Sequence, residues 1–102
     1  MTTETPRLFA VIRTRGPAWQ HARPLGDQEG WRTHADFMNA LQAEGVVVLG
    51  GPLEDTPDVL LILRAQSQEE IVERLAADPW STMDLLRITR AEPWNLRLGV
   101  LP

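Results

Sequence analysis

Apolar residues recur along the chain in blocks, and the spacing inside each block separates strand from helix. Arg7–Arg13 (RLFAVIR) is rich in β-branched and aromatic residues and lies between Pro6 and Gly16-Pro17, which predicts a strand. Thr14–Gly26 holds Gly16, Pro17, Pro24 and Gly26 and is expected to be a long loop. From Asp27 to Glu44 the period changes. Trp31, His34, Ala35, Phe37, Met38 and Leu41 follow at helical spacing, with Asp27 placed to cap the start and Gly45 to end the helix. Val46–Gly51 and Asp58–Arg64 are two further strands, joined by an acidic turn, Leu53–Pro57. Ser67-Gln68-Glu69-Glu70 has the form of a capping box, and a second helix is expected from there to about Ala77, striped by Ile71, Val72, Leu75 and Ala76. Asp78-Pro79 ends it, because the residue before a proline is pushed out of helical geometry. Ser81–Leu85 reads as a connection, and Leu86–Leu98 as a last strand kinked at Pro93.

The order is β-α-β-β-α-β. Such a split βαβ arrangement folds as a ferredoxin-like α+β protomer, an antiparallel four-stranded sheet with both helices on one face. A sheet covered on one face should alternate apolar and polar residues. Val46–Leu49 and Val59–Leu63 do not alternate; they are apolar throughout. Each such side chain left wet forfeits roughly 1.5–3 kcal/mol. The simplest cover for the second face is the same face of another copy, giving a homodimer or a higher oligomer built as a dimeric α/β barrel. An apolar ligand, or the Thr14–Gly26 loop laid across the sheet, would also serve.

Composition narrows the function. Residues 1–102 suit a single domain. Cysteine is absent, which excludes disulfides, thiolate metal sites and thiol nucleophiles. All ten basic residues are Arg, so Schiff-base chemistry on lysine is excluded too. The net charge of −4 argues against nucleic acid as a partner. Met1–Thr5 is polar and leads into no signal-peptide core, and no apolar run approaches the roughly 20 residues that cross a bilayer. A cytoplasmic protein without membrane attachment is expected. With two histidines and no metal-ligand spacing, neither a metal nor a cofactor is expected.

Two residues stand out. His34 lies mid-helix on the apolar stripe, so periodicity turns an imidazole toward the sheet. Asp78 continues the stripe of the second helix to its end, where an inward carboxylate opposes the helix dipole unless a cation, donor or substrate meets it. Each has a structural alternative, a hydrogen-bonded core histidine and a plain helix stop. Both helices pack on one face, so the pair could meet in a pocket walled by Trp31 and Trp80. Asp78 would fix the imidazole tautomer, and His34 would act as general acid or base. Trp19, His21 and Arg23 of the long loop are expected at its rim.

The Trp31-x-x-His34-x-x-Phe37 helix, Gly51-Pro52, Asp78-Pro79-Trp80 and Glu92-Pro93-Trp94, in this order, resemble the YciI-like (YCII-related) proteins from about Arg7 to Leu98. The resemblance implies a dimeric α+β barrel with His34 and Asp78 as its active site. It also implies small cyclic or aromatic substrates, since relatives act as isomerases, lyases and cofactor-free oxygenases. Family members often carry an Arg three residues before the His, where this chain has Trp31; Arg13 or Arg23 would then take over substrate binding, beside Trp31, Phe37 and Trp80. Two functions compete. One is an enzyme using the His34/Asp78 acid–base pair on a small metabolite; the other is a dimeric binding or interaction module whose cavity only holds its ligand.

Overall fold

The computed structural model describes residues 6–102. The polar segment Met1–Thr5, read above for a targeting signal, lies outside the described residues. Strand β1 (Arg7–Arg15) runs through the middle of a four-stranded antiparallel sheet. It pairs on one side with β3 (Asp58–Ala65), Val11 opposite Leu61, and on the other with β4 (Leu86–Pro93). Strand β2 (Val47–Pro52) lines the outer side of β3, so the order is β2-β3-β1-β4. Helices α1 (Trp31–Ala43) and α2 (Gln68–Ala76) cover one face. The core between them holds Phe9, Val11, Leu61 and Leu63 from the sheet and Leu41, Ile71 and Leu75 from the helices.

On the opposite face, Ile12 of β1 pairs with Leu60, and Ala10 with Ile62, and among the described residues α1 and α2 pack on the other face. Of the apolar run Val59–Leu63 on the inner strand β3, Leu61, Ile62 and Leu63 are buried and Val59 and Leu60 are half-buried. The run 46–49 is different. β2 is an edge strand, and in the single protomer Val46, Val47 and Val48 are half-buried while Leu49 stays 45% exposed.

Several boundaries moved for local reasons. The first helix begins at Trp31, not Asp27. Its cap is Gly30, in the left-handed region at φ 73°, while Asp27 belongs to a 3-10 turn, Leu25–Asp27. A side chain at Gly30 would be strained there and would crowd Met83, since a Cβ would lie 3.1 Å from its Sδ. In α2 the Ser67 hydroxyl accepts from the Glu70 amide at 3.1 Å, but the Glu70 carboxylate takes the Gln66 amide instead of that of Ser67. The expected connection after Pro79 is one turn of helix, α3 (Pro79–Thr82), with proline at its first position. The last strand stops at Pro93 rather than reaching Leu98, since β4 is an edge strand and proline has no N–H for a ladder. Register shifts at Val47/Leu49 and at Ile12/Arg13 mark bulges in the strands that flank the site.

Candidate active site

Asp78 is extended (φ −66°, ψ 128°) and caps α3, its Oδ1 accepting the Trp80 amide at 3.0 Å. The dipole conflict foreseen for the end of α2 is thus removed, because the carboxylate serves the start of the next helix. Asp78 is fully buried, and three more contacts converge on it. Arg13 Nη1 donates to Oδ2 at 2.8 Å, and His34 Nδ1 lies 2.8 Å from Oδ2 and 3.0 Å from Oδ1. Burial pushes the carboxyl up, but the hydrogen bonds from His34, the Trp80 amide and Arg13, with the Arg13 charge, hold it below its ordinary 3.8. It is therefore ionised at neutral pH. A carboxylate can only accept, so Nδ1 carries the proton. In the neutral ring Nε2 is then the acceptor, and among the described residues nothing hydrogen-bonds to it.

The imidazole is held flat as well as at its edge. It stacks on the Trp80 indole with centroids 3.9 Å apart and planes 6° apart. Trp80 is fully buried and anchored by its Nε1–H, which donates to the Glu29 carbonyl at 2.7 Å. Trp19 meets Trp80 edge-on at 5.6 Å, and Trp31 lies against both Trp80 and His34. Beneath the pair, Arg13 Nη2 donates to Ser81 Oγ at 2.8 Å, and that hydroxyl donates to the Leu75 carbonyl at 2.7 Å. Arg13 Nε is buried without a partner among the described residues.

His34 opens on a cavity of about 400 Å³ between α1 and the β2–β3 side of the sheet, within the range of small-molecule sites. Trp31, Met38, Val47, Val59 and Leu61 give it apolar walls; Arg15, Asn39 and Gln42 add polar groups. Of the residues expected at the site, Arg13, Trp31, His34 and Trp80 line this cavity, and Asp78 reaches it through His34. Phe37 does not: it packs on the main core. Three residues on from His34, a side chain is turned by about 60° one way, and four residues on by about 40° the other way. Met38 thus takes the cavity position expected of Phe37. Arg13 has its Nη1 and Nη2 engaged with Asp78 and Ser81. Among the rim residues expected from the loop, Trp19 is buried and lines the cavity, while His21 and Arg23 are exposed and outside it.

Two contributors escaped sequence reasoning. Ser81 was legible in principle, because an Asp-Pro start predicts a helix whose first turn includes it. Gln28 carried no signal. Its buried amide donates to the carbonyls of Gln20 (2.8 Å) and Arg23 (2.9 Å) and accepts from the Gln20 amide (3.0 Å), closing the loop that carries Trp19. Among the described residues no cluster of three His, Asp or Glu could hold a metal.

The family model for the YCII-related domain matches residues 8–95. Among solved structures, the chain is similar to the 5-chloro-2-hydroxyhydroquinone dehydrochlorinase TftG from Burkholderia phenoliruptrix AC1100, in complex with 2,5-dihydroxybenzoquinone. The two share 24% identity at a TM-score of 0.62, over 86% of this chain and 93% of the other, a likeness of fold. No curated protein sequence matches the chain significantly.

Proposed function

This chain belongs to the YCII-related family, and from that premise we propose that it is an enzyme moving protons on a small cyclic or aromatic substrate, with His34 as the acid–base group. The observation that carries the reading is the 2.8 Å contact of His34 Nδ1 with a buried, ionised Asp78, which leaves Nε2 as the acceptor beside a cavity. Nε2 takes a proton from a ring carbon or hydroxyl, and Asp78 stabilises the imidazolium that results. In an isomerisation the proton returns to another atom of the ring. In an elimination the C–H electron pair becomes the new double bond, and the leaving anion departs with its own pair. Acid–base help of this kind is worth about 10²–10⁴-fold. The apolar walls suit a ring, and the similar structure is that of a dehydrochlorinase binding a dihydroxybenzoquinone. A pocket that only held its ligand would not require a histidine fixed by a buried carboxylate and a stacked indole.

The test is proton exchange, which needs no knowledge of the product. Wild type should accelerate deuterium uptake from D2O into the ring positions of hydroxylated quinols, or their turnover, over buffer. His34→Gln should lose at least about a hundredfold of that rate while keeping its fold by circular dichroism. Equal rates for the two proteins, or no acceleration by wild type, would refute the assignment.

We further propose that two copies pair through the helix-free face. Ala10, Ile12, Leu60 and Ile62 give that face an apolar centre, and no helix of the described chain packs on it. Ile62 is already buried in the protomer and the other three are half-buried, so a second copy would bury what remains of this face and add to its stability.

A further inference from the structure

We propose that the cavity selects an anionic ligand, and that Arg15 is the residue that reads the charge. This deepens the reading above: it rests on the cavity being the ligand site and is independent of proton transfer by His34.

The argument starts with which cations are free. Arg13 lies deepest, but its Nη1 and Nη2 are bound to Asp78 and Ser81, and its charge is neutralised by a carboxylate at 2.8 Å. Arg23 is exposed and outside the cavity. Arg15 is exposed as well but differs from both in its place. It lines the cavity, and among the described residues it has no carboxylate within ion-pairing distance. Asp58, the carboxylate in the cavity wall, accepts the Thr14 hydroxyl at 2.7 Å.

Arg15 is also held in place. Its guanidinium carbon sits 4.3 Å from the centroid of the buried Trp19 ring. A guanidinium held over an indole by its charge makes no hydrogen bond to the ring and keeps its N–H groups for acceptors such as a carboxylate or an ionised ring oxygen. Trp19 is fixed in turn against Trp80, the ring on which His34 stacks. Arg15 follows Arg13 by two residues, so both lie on the helix-covered face, roughly 7 Å apart along the strand. A ring with one end at His34 can therefore present an oxygen anion to Arg15. Ring carboxylates, phenolates and the ionised enols of hydroxyquinones share this chemistry.

Three of the four tryptophans (Trp19, Trp31 and Trp80) line the cavity, so quenching of intrinsic fluorescence reports binding directly. The probes are 2,5-dihydroxybenzoate and 2,5-dihydroxybenzamide, nearly identical in shape and different in charge. Wild type should bind the carboxylate about tenfold more tightly than the amide, the low end for a hydrogen bond to a charged group. Arg15→Gln should bring the ratio to about one, Arg15→Lys should restore part of it, and Arg23→Gln should keep the wild-type ratio. Thermal melting of each variant separates loss of recognition from loss of fold. The proposal is overturned if wild type does not discriminate, if neither probe gives saturable quenching, if Arg15→Gln keeps the ratio, or if Arg23→Gln loses it. His34→Gln separates the two readings: it should keep the anion preference, while its rate in the exchange assay decides the acid–base role.

Discussion

Replacing Arg13 by Met tests the electrostatic logic of the site. The methionine fills a similar volume but removes the charge and two donors from a place that is 1% exposed. Asp78 keeps the His34 and Trp80 donors and loses the one arginine that pairs with it among the described residues. Removing one partner of a buried ion pair costs about 3–5 kcal/mol, because the other charge stays buried. That is a large part of the roughly 5–15 kcal/mol available to a domain of this size. At roughly 4–8 °C per kcal/mol, even the lower figure lowers the melting temperature by about 12–24 °C.

The sign of the pH dependence makes the test sharper. In wild type the Asp78 carboxyl is held below 3.8, so its contribution to stability is present above that pH and is lost as pH falls through the folded value. Without Arg13, burial is opposed less and the carboxyl titrates higher. The penalty of the variant is then greatest at neutral pH and shrinks as acid neutralises Asp78. Urea unfolding of wild type, Arg13→Met, Asp78→Asn and the double variant, at pH 7 and near pH 4, measures both terms. The double variant should recover part of the loss, since it no longer buries an unpaired charge. A loss below about 1 kcal/mol, or one of equal size at both pH values, would show that the pair does not act as the geometry requires.

Further outcomes are open to simple measurement. Gln28→Leu removes three hydrogen bonds and strands the groups of Gln20 and Arg23; it should cost about 2–4 kcal/mol and speed proteolysis within residues 16–30, as mass spectrometry of the fragments would reveal. Gly50→Ala places a Cβ 2.6 Å from the Leu61 Cδ2, so Leu61 must turn within the cavity it lines; a loss of about 1–3 kcal/mol and weaker binding of 2,5-dihydroxybenzoate are expected by melting and fluorescence titration. Ile12→Glu sets a charge at the centre of the helix-free face; sedimentation should show a dimer for wild type and a monomer for the variant, and a wild-type monomer would remove the pairing proposal.

Local periodicity and capping chemistry determined most of the architecture. The strands at Arg7, Val47, Asp58 and Leu86, and the helix that Ser67 caps, follow from patterns a few residues long. The inward turn of His34 follows from the stripe on which it sits. Its meeting with Asp78 was an inference from shared packing, and the structure adds what no short pattern holds. Asp78 caps a helix of one turn, and Arg13, 65 positions away in sequence, supplies the balancing charge. Tertiary structure alone decided that Met38 rather than Phe37 faces the cavity, that Gln28 closes the long loop, and that Arg15 lies over Trp19 with no carboxylate partner among the described residues. The physical reason is range. Backbone preference and burial period are written into neighbouring residues, whereas the partner of a buried charge is chosen by whichever distant segment the fold brings against it.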